Sequence, residues 1–237
     1  MKILAIDTST AVMGVALLDE KKIYAEMTTN LRKNHSIRLM PTVAQLFDEV
    51  KWSPNEIDLV AVAKGPGSYT GVRIGVTTAK TFAWAQNIPI VGVSTLETMA
   101  YQQHSFPGVI SPLIDARRGQ AYVGLYQQRN DSWSNLEYDR IILLSDWLQI
   151  LKKREEQVLF VGDDVSLHQT QIDEFLGEYA TYSSSPFNLP RPSVIGWLAY
   201  QQYLTGTVDN TFDFTPAYLQ LAEAEVKWLE KQKLAKG

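Results

Sequence analysis

Two stretches of the sequence decide the fold: LAIDTSTAVMGVALL at 4–18 and PLIDARRGQAYVGLY at 112–126. Each contains a short apolar run that ends in an aspartate, then a polar turn, then a second apolar run with an internal glycine. Short apolar runs bounded by turn residues are typical of strands. We therefore predict a strand–turn–strand unit in each of two related domains, with a boundary near residue 105.

The rest of the chain alternates between strand and helix patterns. A third strand after the polar turn at 19–22 favours an antiparallel meander. Apolar residues at helical spacing predict a helix from about Ser36, with Pro41 in its first turn or at a kink. The further predicted strands are 23–28, 57–63, 88–93, 109–115, 120–126 and 158–161, and the further predicted helices are 69–86, 94–101, 165–176, 193–204 and 216–234.

The composition excludes several classes of protein. With 45% hydrophobic and 20% charged residues, the 237-residue chain is globular rather than disordered. The absence of cysteine excludes a disulfide scaffold, a thiolate zinc site and a cysteine nucleophile. A net charge of -4 gives no overall basic footprint for nucleic acid. Asp7 interrupts any signal-peptide core and no apolar run is long enough to span a membrane, so we expect a cytoplasmic protein with no membrane partner.

The first candidate site is the polar turn Asp7-Thr8-Ser9-Thr10 between two predicted strands. Its backbone N–H groups and short side chains could hold a phosphate, and the aspartate could hold a metal-bound water. An ordinary turn stabilised by its own aspartate and hydroxyl side chains explains the same residues. The sequence leaves both interpretations open.

The second candidate is GPGSYTGVRIG at 65–75, a glycine-rich turn that opens a helix. Helix N-termini attract anions, but the glycine spacing fits neither the dinucleotide fingerprint nor a P-loop. Alternatively, Gly71, Gly75 and Ala79 form a smooth helix face that allows another backbone to approach closely. That face could lie against the chain's own sheet or against a partner's helix.

The remaining polar signals are weaker. His35, His104 and His168 have no second histidine at helical spacing, so no helical metal pair is predicted. Arg117 and Arg118 could bind phosphate through forked hydrogen bonds, or could simply be a solvated turn. No Gly-x-Ser-x-Gly motif is present, which weakens a serine hydrolase interpretation.

Five segments together resemble the TsaB (YeaZ) family of bacterial proteins. They are ILAIDTST at 3–10, NHSIRLMP at 34–41, KGPGSYTGVRIGVTTAKTFAWAQNIPIVGVSTLE at 64–97, LIDARRGQAYVGLY at 113–126 and PAYLQLAEAEVKW at 216–228. The resemblance implies an α/β fold of the actin-like ATPase-domain superfamily, with two related mixed-sheet domains. It places the first domain at 1–105, joined by a returning C-terminal helix at 216–237, and a smaller second domain at 106–215.

The resemblance also implies a function. TsaB proteins pair with the catalytic paralogue TsaD and with the ATPase TsaE. The assembly makes threonylcarbamoyladenosine next to the anticodon of tRNAs that read codons beginning with adenine. The chain is thus expected to be a non-catalytic partner subunit that forms a homodimer when alone, contacts tRNA weakly or indirectly, and needs no cofactor.

Comparison with TsaD explains the expected lack of catalysis. TsaD carries His-x-x-x-His after the equivalent strand, and the two histidines hold its metal. Here the stretch is GVSTLETMA at 92–100, and Thr95 and Met99 stand at those two positions. A hydroxyl and a thioether do not replace two imidazoles as ligands of a divalent cation.

The resemblance assigns the partner or dimer interface to the two helices near 36–50 and 68–86. The candidate interface residues are His35, Leu39, Met40, Tyr69, Gly71, Val72, Arg73, Gly75 and Ala79. The turn at Asp7–Thr10 becomes a vestigial phosphate site, and Arg117 and Arg118 become candidate phosphate or tRNA contacts. An ATP-dependent kinase or ATPase that uses Asp7–Thr10 is the alternative. A metalloprotease is disfavoured because the sequence has no zinc-ligand pair.

Overall fold

The computed structural model describes residues 1–31, 34–130 and 132–219. Within these ranges the chain forms two five-stranded sheets. The first contains β1 (Ile3–Asp7), β2 (Val12–Leu18), β3 (Ile23–Asn30), β4 (Leu59–Ala63) and β5 (Ile90–Val93). The second contains β6 (Val109–Asp115), β7 (Gln120–Arg129), β8 (Ser132–Leu143), β9 (Val158–Val161) and β10 (Ala180–Tyr182). The helices are α1 (His35–Val50), α2 (Tyr69–Gln86), α3 (Thr95–Tyr101), α4 (Leu144–Lys152), α5 (Gln169–Leu176) and α6 (Pro192–Leu204).

The two sheets have the same topology. Their strand orders are β3-β2-β1-β4-β5 and β8-β7-β6-β9-β10. In each sheet the first three strands are antiparallel neighbours, and the other two are added in parallel. The two repeated sequence stretches form the equivalent hairpins β1–β2 and β6–β7. The predicted meander and the predicted pair of mixed sheets are confirmed.

Both faces of the first sheet are covered by helices. α1 and α2 pack on one face, and α6 packs on the other. Because helices cover both faces, every residue of β1, β2 and β4 is buried, and these strands read as continuous apolar runs rather than alternating ones. α4 and α5 cover one face of the second sheet, and α3 covers the other.

The two halves exchange one helix each. α3 follows β5 of the first sheet but packs on the second sheet, through Leu96, Met99 and Ala100. α6 follows the last strand of the second sheet but packs on the first sheet. The segment after α6 also returns to the first half, where Asp209 bonds the backbone of β5 and Phe214 is buried. The chain thus already packs on the first half from Pro192, within the range 106–215 predicted for the second domain.

A half-buried polar cluster joins α3 to the second sheet. The Asp139 carboxylate accepts hydrogen bonds from the Ser94 and Tyr126 hydroxyls, and the Glu97 carboxylate accepts one of 3.2 Å from the Trp133 indole. Burial raises the pKa of both carboxyl groups above the ordinary values of 3.8 and 4.5. These contacts fix α3 against β7 and β8 and hold the two halves together.

Several predicted elements have different bounds in the structure. α1 begins at His35, capped by the Asn34 side chain, and continues through Pro41 as one helix. The predicted helix 165–176 is instead a 3-10 turn over Asp163–Leu167 followed by α5. β8 and α4 carried no sequence prediction. Residues 216–219 are not helical, and the remainder of the predicted helix 216–237 lies outside the described residues. No helix of the described ranges is long and apolar enough to cross a membrane.

The position of α2 depends on two glycines that touch the β1–β2 turn. A Cβ atom on Gly67 would lie 2.1 Å from the Ser9 carbonyl oxygen, and one on Gly71 would lie 2.1 Å from the Thr8 carbonyl oxygen. The Thr8 hydroxyl donates a 2.7 Å hydrogen bond to the Gly71 carbonyl, and the Ser68 N–H donates one of 2.7 Å to the Ser9 carbonyl. The smooth glycine face of α2 therefore lies against the chain's own sheet.

We predict that Gly71→Ala destabilises the protein by about 1–3 kcal/mol, because the added methyl collides with backbone that cannot move. The sign of the stability change identifies the collision, because a glycine-to-alanine substitution inside a helix otherwise stabilises a protein by about 0.5–1 kcal/mol. Urea unfolding followed by circular dichroism measures the change. Thr70→Ala, at the adjacent exposed position of α2, is the matched control. A Gly71→Ala variant as stable as wild type would show that the close approach is absent.

Candidate functional site

The β1–β2 turn is buried and bonded to itself. The Asp7 Oδ1 atom accepts hydrogen bonds of 2.8 Å from the Ser9 N–H and 2.6 Å from the Ser9 hydroxyl. The Val12 N–H donates to the Thr10 hydroxyl oxygen at 3.1 Å, and the His35 ring bonds the Thr10 carbonyl at 2.9 Å. The hydrogen-bonding capacity of the turn is thus largely used within the chain.

Asp7 is a buried acid whose carboxylate is only partly hydrogen-bonded. Its side chain is fully buried, and its Oδ2 atom has no hydrogen-bond partner within the described ranges. Burial raises the pKa of Asp7 above its ordinary value of 3.8, and the hydrogen bonds from Ser9 and the nearby His35 oppose that rise. A raised pKa at a cleft is a signal of function. The Asp7 side chain lies on the sheet face of Ile3 and Ala5, where α6 packs.

An interdomain cleft of about 1080 Å³ opens beside this turn. The first half contributes Thr10, Ser68 and Tyr69 to its lining. The second half contributes the β6–β7 turn together with Asp163 and Asp164. The Asn30 amide donates a 3.0 Å hydrogen bond to Asp163 across the cleft.

The cleft does not fit a nucleoside triphosphate well. Two N–H groups of the first turn, those of Ser9 and Val12, are already donated within the chain. In the second half, the Asp164 carboxylate accepts the Asp115 N–H at 3.0 Å and so occupies the equivalent turn with negative charge. Carboxylates repel phosphate at the distances that a cleft allows. These two turns therefore give the ATPase alternative no support.

Arg117 and Arg118 lie at the mouth of this cleft, on the β6–β7 turn. Both have left-handed backbones, with φ of 67° and 54°, and Gly119 continues the turn with φ of 72°. The His168 ring lies 3.0 Å from the Asp115 carboxylate below them. The two arginines are exposed, so their contact with phosphate or tRNA stays a prediction.

Thr95 and Met99 lie one helical turn apart on α3, as their spacing requires. Both are buried, and the Thr95 hydroxyl has no hydrogen-bond partner within the described residues. Met99 lines the cleft, and its methyl group lies close to Gly162. Among the described residues there is no group of three histidine, cysteine or acidic side chains that could hold a metal ion. The residues present at this position do not fit a divalent cation.

The helix face predicted as an interface is only partly exposed. The structure buries Leu39, Gly71, Val72, Gly75 and Ala79 between the helices and the first sheet, which corrects their assignment to a surface. Helical spacing made them contiguous, but that contiguous stripe is the one that faces the core. His35 is turned inward as well, and it ties the start of α1 to the Thr10 carbonyl.

Met40, Tyr69 and Arg73 of the predicted interface are exposed. They border a shallow groove of about 430 Å³ between α1 and α2, which we call the helix groove. The exposed fraction is 51% for Met40 and 70% for the neighbouring Ile37. Exposed apolar side chains clustered on adjacent helices are typical of protein interfaces.

Sequence reasoning missed one residue of this face. The Tyr218 hydroxyl accepts a 2.7 Å hydrogen bond from the Arg73 Nε, although 145 positions separate the two residues. Tyr218 also packs on Tyr69, with ring centroids 5.3 Å apart. No local pattern indicates this contact, because it depends on the return of the chain after α6.

We predict that the stability of the wild type, relative to Asp7→Asn, decreases as the pH rises from about 3 to about 7. The folded state holds the Asp7 proton more tightly than the unfolded chain does, because burial raises this pKa. That contribution is present below pH 3.8 and is lost as the pH rises through the folded value. Asparagine does not titrate, so the variant lacks this loss. Urea unfolding at several pH values measures the difference.

Asp48→Asn removes the same charge from an exposed position of α1 and serves as the matched control. If the difference in free energy of unfolding between wild type and Asp7→Asn stayed constant with pH, the raised pKa of the buried carboxyl would be contradicted.

Comparison with known proteins places these observations in a family. The family model described as TsaD, tRNA N6-adenosine threonylcarbamoyltransferase, matches residues 22–228. The TsaB protein of Bacillus subtilis (strain 168), described as a tRNA threonylcarbamoyladenosine biosynthesis protein, is 47% identical over 233 residues, covering 98% of this chain and 100% of the relative. The Escherichia coli (strain K12) TsaB protein is 37% identical over 145 residues, covering 60% of this chain and 62% of the relative.

Solved structures give the fold independently. YeaZ from Pseudomonas aeruginosa matches with a TM-score of 0.76 and 25% identity, covering 92% of this chain and 99% of that chain. A ROK hexokinase from Thermus thermophilus matches with a TM-score of 0.50 and 10% identity, covering 87% of this chain and 100% of that chain, and shows the fold alone. The predicted actin-like ATPase fold is confirmed. The 47% identity over nearly the full length, together with the shared fold, establishes that this chain belongs to the TsaB (YeaZ) family.

Proposed function

We propose that this chain is a non-catalytic partner subunit of the assembly that installs threonylcarbamoyl on tRNA adenosine. The modified adenosine lies next to the anticodon of tRNAs that read codons beginning with adenine. In this proposal the chain binds a TsaD-like catalytic subunit through the helix groove and the apolar side chains around it. The names of the relatives support the assignment to threonylcarbamoyladenosine biosynthesis. The side chains described below support the role of a partner subunit within it.

The observation that carries the non-catalytic role is the pair Thr95 and Met99. They occupy the two positions at which the TsaD-like pattern has histidines, and they are held one turn apart on a buried helix. Neither side chain is a suitable ligand for a hard or borderline divalent cation. In this proposal the chain keeps the strand and helix that carry the metal ligands in TsaD, but not the ligands themselves.

The partner role is supported by the exposed apolar side chains of α1 and α2. Ile37 and Met40 project from α1, while Tyr69 projects from the start of α2. The two helices are rigidly placed by the sheet beneath them, because α2 is locked to the β1–β2 turn. A rigid, partly apolar pair of helices can dock on the equivalent pair of a related subunit with little loss of conformational entropy.

Three finer elements of the proposal rest on the family resemblance. A TsaE-like ATPase binds the heterodimer, the free chain forms a homodimer, and tRNA contacts are local and include Arg117 and Arg118. The exposed position of the two arginines at the cleft mouth is compatible with such contacts. The overall charge of -4 requires that any contact with tRNA be local.

The proposal is tested by size-exclusion chromatography with light scattering, on the chain alone and mixed with a TsaD-like subunit. We expect a 1:1 complex in the mixture. We also expect tRNA modification activity only when the catalytic subunit is present. Modification activity from this chain alone would overturn the non-catalytic role. The absence of any complex would overturn the partner role.

We predict that Met40→Ser weakens the heterodimer at least tenfold, which corresponds to about 1.4 kcal/mol. The exposed half of the methionine side chain becomes buried on docking, and serine forfeits that apolar contact. Isothermal titration calorimetry measures the affinity, and thermal unfolding checks that the fold is unchanged. Leu167→Ser is the matched control, because Leu167 is 69% exposed on the second half, away from the helix groove. Equal losses for both variants would argue against docking at this face.

A further inference from the structure

Among the described residues, the helix groove is lined by a single charged side chain. Its lining consists of Ser36, Leu39, Met40, Tyr69, Thr70, Arg73, Ile74, Thr77 and Thr78. Arg73 is the only one of these that carries a charge. α2 contains no acidic residue from Tyr69 to Gln86, and the first turn of α1 contains none either. The groove therefore presents one cation surrounded by apolar and hydroxyl groups.

Arg73 is fixed in place by two aromatic residues. Its Nε donates to the Tyr218 hydroxyl at 2.7 Å, and its guanidinium carbon lies 4.3 Å from the Tyr69 ring centroid and 5.6 Å from that of Tyr218. The hydrogen bond to Tyr218 raises the pKa of the guanidinium above its ordinary range. Stacked and bonded in this way, the side chain has lost most of its rotamer freedom before any partner arrives.

No carboxylate of the described residues forms an ion pair with this cation. Among the described residues this charge has no acidic partner, which is tolerable while the groove is open to water. Docking of a partner would remove that water, and a buried charge without a counterion is strongly unfavourable. A planar guanidinium is matched best by a carboxylate, which it can bind through two parallel hydrogen bonds.

We infer that Arg73 is the charged anchor of the helix groove and binds a carboxylate on the partner's docking helix. This inference rests on the proposed function and specifies the partner's chemistry: an apolar helix face that presents one glutamate or aspartate. Tyr69 and Tyr218 are positioning residues, because they hold the guanidinium toward the groove. A second copy of the chain fits less well, since a two-fold interface would place the groove on itself and the groove contains no acid.

The test compares affinities for the TsaD-like subunit by isothermal titration calorimetry. Arg73→Gln is expected to weaken binding at least tenfold, and Arg73→Glu at least a hundredfold. Tyr218→Phe, which keeps the ring and removes the hydroxyl acceptor, is expected to weaken binding two- to fivefold. Lys21→Gln, at an exposed turn of the first half, removes the same charge and is expected to bind as wild type. All variants should unfold at the wild-type temperature, because Arg73 is exposed.

A charge-exchange experiment identifies the ligand. Each acidic residue on the partner's docking helix is changed to lysine in turn, and one such variant is expected to restore binding to Arg73→Glu at least tenfold. Wild-type affinity of Arg73→Gln, with Met40→Ser still weakened, would overturn the anchor while leaving the docking face intact. Wild-type affinity of both would overturn the docking face itself. A defect of Arg73→Gln confined to self-association would show that the occupant is a second copy, and would also overturn the inference.

Discussion

The close contact between α2 and the β1–β2 turn governs the rest of the first half. Gly67 and Gly71 allow the helix backbone to touch the carbonyl groups of Ser9 and Thr8, at a distance that no side chain permits. The Asp7 side chain at the end of β1 is fully buried, and its Oδ1 atom accepts hydrogen bonds within the turn. The turn predicted to hold a phosphate is thus also part of the packing of α2 on the first sheet. The outer face of α2 is thereby fixed in position.

The exchange of α3 and α6 between the sheets gives that face a rigid support. Each helix packs on the sheet of the other half, and the half-buried carboxylates of Glu97 and Asp139 accept hydrogen bonds across the junction. Hydrogen-bonded polar groups removed from water favour one arrangement, since a displacement leaves them unpaired. The exchanged helices favour one placement of the two sheets, which is consistent with the proposed role of a partner subunit.

The sequence predicted most of the fold because its strongest signals are local. The repeated stretches at 4–18 and 112–126 gave the two hairpins, and helical spacing gave α1 and α2. The same spacing could not tell which side of α2 faces outward, so Gly71, Gly75 and Ala79 were assigned to a partner surface when they face the core. The return of the chain at Pro192 and the contact of Tyr218 with Arg73 depend on tertiary packing between distant residues, for which no local pattern exists.

In the proposed function, this chain supports the reaction without taking part in it. The most direct test is the rate of tRNA modification by an assembly reconstituted with the double variant Thr95→Val and Met99→Leu. These substitutions nearly preserve side-chain volume and remove the hydroxyl and the thioether from α3. The account predicts a rate equal to that of the wild-type assembly. A rate reduced to that of the catalytic subunit alone, with the complex still formed, would contradict it.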